Sequence, residues 1–321
     1  MVPVPVGIAV VGAGPWGATL ARAFARLDAV QLRWICELDD TRRAHARAAH
    51  PDVQATPHLD EIIADPEVAA VAVAVDSPQH RAVGMRVLEA GRHLFLEKPM
   101  ALSASHAAEL AAAAAARRRV LTVGHLLLHH PAIRRARQML DDGIIGTPLY
   151  LEARRVTAGP PRTPGSAWWT LAPHDVSLAL HLFGAVPESV IAVGGACGPG
   201  GEDNVATATL VFADGRSAHL HVGRFGADKQ RQMSVAGTRA TLSFDELADE
   251  RPLRLRVHRR AIEVVPVDRV EPLLAQSLHF AACVARGDAA GGNASHGEAV
   301  VRVLEAGAHS MAAHGEPVEV A

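Results

Sequence analysis

The first part of the chain alternates between short apolar runs and amphipathic stretches. Residues 4–11 are almost continuously apolar and read as a buried strand, and the Ala-rich stretch 18–27 reads as the helix after it. The alternation recurs through helix 41–50 after strand 31–36, a short helix 59–64, strand 68–75, and helix 79–90 stopped by Gly91. Strand 93–96, helix 103–119 and strand 120–123 complete it. Apolar runs that do not alternate with polar residues suit strands covered on both faces. A βα series of this kind predicts an α/β fold, a doubly wound parallel sheet of the Rossmann type.

The pattern changes after Gly124. Helix 131–140, strand 149–156, a Pro/Gly-rich loop 158–165 and helix 173–183 come first. Strands then follow one another without intervening helices, at 189–194, 205–212, 217–222 and 233–236, with further ones near 240–244, 253–257 and 262–265. Asp214-Gly215 is a hairpin turn between two of them. Helices 272–286 and 296–313 and a short strand 317–320 close the chain. Serial strands predict an α+β domain with a large, mostly antiparallel open sheet. The expected division is a dinucleotide-binding domain over 1–123 and a substrate-binding and oligomerisation domain over 124–321.

The first βα turn carries candidate chemistry. Gly12-Ala13-Gly14-Pro15-Trp16-Gly17 is a G-x-G-x-x-G between a predicted strand and a predicted helix, the context that gives this motif weight. Gly12 permits the tight turn, Gly14 lets a pyrophosphate approach the backbone, and Gly17 lets helix and strand pack closely. Pro15 suits a first helical turn, whose N–H has no helical partner. The helix N-terminus offers N–H groups and partial positive charge to phosphates. Glu37 ends the second strand, where the fingerprint places an acid for the adenosine ribose hydroxyls. A carboxylate there repels a 2′-phosphate, so NAD is expected over NADP; Arg42 and Arg43 could soften that preference, but are read first as solvated helix charges.

Composition narrows the class. The formal net charge of −2 on 321 residues gives no basic surface for nucleic acid, and no apolar run approaches a membrane span. The N-terminus lacks the basic region of a signal peptide, so a cytoplasmic protein is expected. Cys36, Cys197 and Cys283 are odd in number without CxxC spacing and read as reduced thiols. His125, His129 and His130 have helix-like spacing but no evident carboxylate or Cys partner, so no metal site is assigned.

Three stretches carry a resemblance: the glycine turn, Glu97-Lys98-Pro99 at the end of strand 93–96, and Leu171-Ala172-Pro173-His174-Asp175-Val176. Val123-Gly124-His125, Asp142-Gly143-Ile144-Ile145-Gly146 and the closing helices support it. The chain resembles the family of glucose–fructose oxidoreductase, inositol dehydrogenase and the rhizopine-catabolism proteins (Gfo/Idh/MocA). The resemblance implies an oxidoreductase with Lys98 as active-site lysine and His174 as catalytic histidine. The residue types agree: a histidine titrates near neutral pH and can take a hydroxyl proton, and an ammonium can stabilise developing negative charge. Cofactor contacts are expected from Gly12, Gly14, Pro15, Trp16, Gly17, Glu37, Ser77, Pro78, His80, Glu97 and Lys98. Substrate contacts are expected from Lys98, His125, Trp169, Thr170 and His174. Asp175 and Ser177 are read as helix caps.

Many family members carry an Asp four residues before this His, where the chain has Thr170. Threonine cannot relay a proton at neutral pH, which leaves His174 and Lys98 to carry the chemistry. The expected reaction moves hydride between NAD and a secondary hydroxyl or ketone of a sugar, first of all a sugar nucleotide or sugar phosphate. The basic set His219, His221, Arg224, Lys229 and Arg231 suits a phosphorylated substrate, and equally an exposed, charge-protected sheet. A cyclitol or dihydrodiol substrate, or a non-catalytic NAD(H)- and sugar-binding regulator, stay open beside it. The resemblance also implies homodimers or homotetramers through the C-terminal sheet.

Overall fold

The computed structural model describes residues 5–159, 165–195, 201 and 203–321. Cys197 and most of the 158–165 loop lie outside the described residues.

The first part builds β1 (Val6–Val11), α1 (Pro15–Ala25), β2 (Val30–Cys36), α2 (Asp40–Ala49), β3 (Gln54–Thr56), α3 (Leu59–Ala64), β4 (Ala70–Val73), α4 (His80–Glu89), β5 (His93–Leu96), α5 (Ala104–Ala116) and β6 (Leu121–Val123). The strands form one parallel six-stranded sheet in the order β3-β2-β1-β4-β5-β6. The order reverses between β1 and β4, and ligands of such sheets bind at that crevice. Every residue of β1, β4 and β5 is buried, which is why their sequences do not alternate. β3 escapes sequence reading because its three residues carry no apolar period. Local caps fix the helix starts: Asp39 accepts the Arg42 N–H before α2, and Ser103 accepts the His106 N–H before α5.

The second part builds α6 (Pro131–Asp141), β7 (Pro148–Ala158), α7 (Ala167–Phe183), β8 (Ser189–Gly195), β9 (Val205–Val211), β10 (Ser217–Gly226), β11 (Gln230–Gly237), β12 (Ala240–Asp245), β13 (Leu253–Val257) and β14 (Ile262–Val264). After these come α8 (Pro272–Arg286), α9 (Ala294–Ala312) and β15 (Val318–Glu319). The nine-stranded sheet has the order β14-β13-β12-β11-β7-β10-β9-β8-β15. All its pairs are antiparallel except β7 with β10. β7 alternates: Leu151, Ala153 and Arg155 are buried, while Tyr150, Glu152 and Arg154 are exposed. α7 packs against β7, β9 and β10. Ile191, Val193 and Tyr150 remain exposed on the sheet.

Helix α7 starts six residues earlier than the sequence suggests. Ser166 caps it by accepting the Trp169 N–H, so Pro173 sits inside the helix instead of opening it. The division 1–123 and 124–321 is also corrected. Residues up to Leu126 group with Glu271–Glu298, and Leu127–Val270 group with Ala299–Ala321. The physical reason is α8, which returns to the first core. Phe280 of α8 stands edge-on to Phe95 at 5.5 Å and to Phe24 at 6.3 Å, and Phe24 to Phe95 at 6.0 Å. Such pairs contribute about 0.5–1.5 kcal/mol each beyond the area they bury. Asn293 closes the sheet edge at β6: its Oδ1 accepts the Val123 N–H at 2.6 Å and its Nδ2 donates to the Val123 carbonyl at 3.1 Å.

Candidate functional site

In the first unit a cleft of about 350 Å³ opens at the ends of β1, β2 and β4, lined among others by Gly12, Gly14, Glu37, Arg42, Asp76 and Gln79. Gly12 has φ +91°, a left-handed conformation that side chains resist, and an added Cβ would lie 2.6 Å from the Ala74 carbonyl oxygen. A Cβ at Gly17 would lie 1.9 Å from the Gly12 carbonyl oxygen, so the first turn of α1 sits directly on the loop. A Cβ at Gly14 would meet nothing within 4 Å. The space before the N-terminus of α1 is therefore open, which fits a pyrophosphate.

Glu37 is buried, and its carboxylate is densely hydrogen-bonded. Oε2 accepts the Ala13 N–H at 2.7 Å; Oε1 accepts the Asp39 N–H at 3.0 Å and an Arg42 guanidinium N–H at 3.2 Å. The acid at the end of β2 thus holds the glycine loop as well as lining the cleft. Arg42 lines the cleft and pairs with Glu37 while its side chain stays 52% exposed, as a solvated charge would; Arg43, only 14% exposed, donates to the Glu37 carbonyl at 2.7 Å, which corrects its reading as a solvated charge. Burial, with the neighbouring Glu37, pushes the Cys36 thiol up to about 11, so it stays protonated.

On the far wall the lining residues are Val75, Asp76 and Gln79, while Ser77 and Pro78 form a single 3₁₀ turn before α4. The expected role of His80 is revised. Its ring is buried, with Nδ1 2.8 Å from the Pro99 carbonyl and Nε2 3.0 Å from the Val75 carbonyl. Both nitrogens face backbone, so the ring joins the end of β4 to the Glu97-Lys98-Pro99 turn instead of reaching a cofactor.

Glu97 is buried at the end of β5 and accepts the Lys98 N–H at 3.2 Å. Burial raises its pKa, against the Trp16 hydrogen bond and the Lys98 charge, which lower it. Through that bond Trp16 of the glycine turn reaches the Glu97-Lys98-Pro99 turn. Gly124 makes the room: a Cβ there would lie 2.8 Å from Glu97 Oε1. Lys98 is half-buried. His125 is only 2% exposed and stands edge-on to the His296 ring at 5.5 Å, which leaves almost none of it for a ligand.

In the second unit His174 follows Pro173 in α7 and is half-buried. Thr170 is one helical turn earlier on the same face, and its hydroxyl donates to the Ser166 carbonyl at 2.6 Å. Trp169 is half-buried, whereas Trp168 is fully buried, its indole N–H donating to the Leu304 carbonyl at 2.8 Å. Trp168 thus belongs to the core. Asp175 is no helix cap: it is buried and paired with Arg155, its Oδ1 2.9 Å from Nη2 and its Oδ2 3.0 Å from Nε. Arg155 also reaches Glu246, which pairs in turn with Arg231. The inward phase of β7 placed Arg155 beside Leu151 and Ala153, and that charge at an inward position was the available signal for it.

The basic set of the sequence reading does not gather in one place. Arg231 is engaged by Glu246, Arg224 is buried and Lys229 is exposed. The His219 and His221 rings contact Thr209 and Thr207 at 3.2 and 3.1 Å, beside a shallow basin of about 590 Å³ on the sheet. His130 caps α6, its Nδ1 accepting the Ala132 N–H at 3.1 Å, and His129 lies 3.4 Å from Arg134. Among the described residues no group of three or more His, Cys, Asp or Glu is arranged to hold a metal ion, and no helix is long and apolar enough to cross a membrane.

Comparison with known proteins follows both units. Residues 6–125 match the model of the Gfo/Idh/MocA oxidoreductase family, NAD-binding Rossmann fold, and residues 133–243 match that of the Gfo/Idh/MocA C-terminal domain. The chain is 33% identical over 258 residues to the UDP-N-acetylglucosamine 3-dehydrogenase of Acidithiobacillus ferrooxidans, covering 80% of this chain and 78% of that protein. The solved structure of that dehydrogenase superposes with a TM-score of 0.87 at 28% identity, covering 98% of this chain and 100% of the other. GenD2 from gentamicin A biosynthesis, solved in complex with NAD, gives a TM-score of 0.86 at 27% identity, covering 98% and 96%. The chain belongs to the Gfo/Idh/MocA family of oxidoreductases, with its NAD-binding Rossmann domain at residues 6–125.

Proposed function

We propose that the protein is a sugar-nucleotide dehydrogenase that oxidises the C3 hydroxyl of a UDP-linked N-acetylhexosamine with NAD. The observation that carries this reading is the 33% identity to UDP-N-acetylglucosamine 3-dehydrogenase over 80% of the chain. Lys98 and His174 are both retained, which speaks against a non-catalytic regulator.

The residues divide the work as follows. The open backbone at Gly14 and the first turn of α1 receive the pyrophosphate, and Glu37 receives the adenosine ribose. When bound, NAD supplies the hydride acceptor. His174 takes the hydroxyl proton, and the Lys98 ammonium donates a hydrogen bond to the substrate oxygen as it gains negative charge. Trp169 and Thr170 flank the sugar one turn before His174. The Thr170 hydroxyl donates to the Ser166 carbonyl, and a threonine does not ionise near neutral pH, which leaves His174 as the proton acceptor of this reading.

The test is NADH formation with a panel: UDP-N-acetylglucosamine, UDP-glucose, N-acetylglucosamine 1-phosphate and myo-inositol. The reading expects turnover of UDP-N-acetylglucosamine to a 3-keto product. Turnover confined to myo-inositol would overturn it in favour of a cyclitol dehydrogenase.

A second copy of the chain is our choice of occupant for the exposed sheet face that bears Tyr150, Ile191 and Val193. Sedimentation at micromolar concentration is expected to give dimers or tetramers, and a monomer would overturn this. We place the enzyme in the cytoplasm, with the nicotinamide and nucleotide-sugar pools it would draw on.

A further inference from the structure

The turn of α7 that carries His174 lacks part of its own hydrogen-bond ladder. Pro173 has no N–H, so the Trp169 carbonyl loses its helical donor one residue before His174. The residue after His174 is anchored from outside the helix. Three Arg155 contacts, at 2.9, 3.0 and 3.2 Å, clamp the Asp175 carboxylate to the centre of the sheet, with side chains 4% and 2% exposed. The remaining Arg155 nitrogen, Nη1, donates to Glu246 at 3.0 Å, and Arg231 donates to the other Glu246 oxygen at 2.6 Å. The four charges cancel, and the chain of contacts joins α7 to β7, β11 and the residue after β12. Apolar residues of similar volume would often hold helix to sheet as well as a buried ion pair does. What the planar fork adds is direction: it fixes Asp175 in rotation and in register, and its neighbour with it.

We propose that Arg155, through its bidentate grip on Asp175, is the positioning residue for His174, compensating the interruption at Pro173. The proposal rests on the reading of His174 as the proton acceptor. Displacing a reacting group by about 1 Å can cost on the order of 100-fold in rate.

The experiment compares Arg155→Lys, the double variant Arg155→Met/Asp175→Leu, and His174→Ala, with UDP-N-acetylglucosamine and NAD. Arg155→Lys keeps the charge and loses the fork. The double variant strands neither partner and leaves Glu246 with Arg231, so it stays folded, as a cooperative thermal transition will verify. Both are expected to lose about tenfold or more in kcat with KM for NAD unchanged. Their solvent deuterium isotope effect on kcat should rise, because proton transfer to a displaced imidazole becomes the slow step; loss of folded enzyme alone leaves that effect at its wild-type value. A substrate-free readout runs alongside: with ¹³C-labelled histidine, the His174 ring signal is expected to be a single line in the wild type and exchange-broadened in the double variant. A folded double variant with wild-type kcat and an unbroadened His174 line overturns the positioning role, provided His174→Ala is inactive. Full activity in His174→Ala removes the proton-acceptor reading itself, and the two failures are thereby told apart.

Discussion

Glu37 Oε2 accepts the Ala13 N–H at 2.7 Å, so the acid that ends β2 also holds the glycine turn that follows β1. Removing it should therefore affect loop order and cofactor choice together. Glu37→Ala is expected to weaken NADH binding by about 10- to 150-fold, as loss of a charge-assisted hydrogen bond would (about 1.5–3 kcal/mol), and to narrow the preference for NADH over NADPH, since Arg42 is released from its ion pair. Titration of both cofactors checks this; an unchanged preference in the variant would assign the discrimination to another residue.

His93 provides a pH dependence with a definite sign. It is buried at the start of β5, and its Nδ1 accepts the Val120 N–H at 2.9 Å, which requires an unprotonated Nδ1. Burial, with Arg119 nearby, lowers its pKa to about 4. The unfolded chain takes up a proton near pH 6.5 and the folded chain does not, so this contribution to stability is complete above about pH 6.5 and is lost as pH falls towards about 4. Thermal unfolding from pH 7 to pH 4 should show a shallower decline for His93→Asn, whose amide oxygen can still accept the Val120 N–H. Parallel declines would mean that other groups set the dependence.

Gly307 lies against the core tryptophan. An added Cβ would come 2.3 Å from Trp168 Cζ2, in a ring that is wholly buried and held by its N–H. Gly307→Ala is expected to destabilise by about 1–3 kcal/mol through overpacking, read as a lowered denaturant midpoint. An unchanged midpoint would show that the ring can yield.

Thr170 should matter little to the chemistry. Its hydroxyl is engaged by the Ser166 carbonyl, and one neutral hydrogen bond contributes roughly 0.5–1.5 kcal/mol. Thr170→Ala is expected to stay within about tenfold of wild type in kcat/KM. A loss as large as that of His174→Ala would put the hydroxyl on the proton path.

The first sheet was legible because its strands are buried on both faces and its glycine turn sits between a strand and a helix, so composition and position agree at Gly12, Gly14 and Gly17. The start of α7 was not, because its cap, Ser166, directly follows a Pro/Gly-rich stretch that reads as loop, and Pro173 interrupts the helical pattern. Nor was the return of α8: Phe280 is one apolar residue among many until it meets Phe24 and Phe95 across more than 180 residues of chain. Local pattern carries no partner information, and His80 shows the same limit. It was expected among the cofactor contacts, while its two carbonyl partners come from Val75 and from Pro99 in another part of the chain.

The central claim is that Lys98 and His174 act on a UDP-N-acetylhexosamine bound with NAD. The most direct test is the initial rate of NADH formation from UDP-N-acetylglucosamine by the wild type, Lys98→Ala and His174→Ala, with NADH binding measured on the same samples. The wild type is expected to turn over, and each variant to lose about 10²–10⁴-fold in rate, with NADH binding normal in His174→Ala. A His174→Ala enzyme that forms NADH at the wild-type rate, or a wild type that forms none, would contradict it.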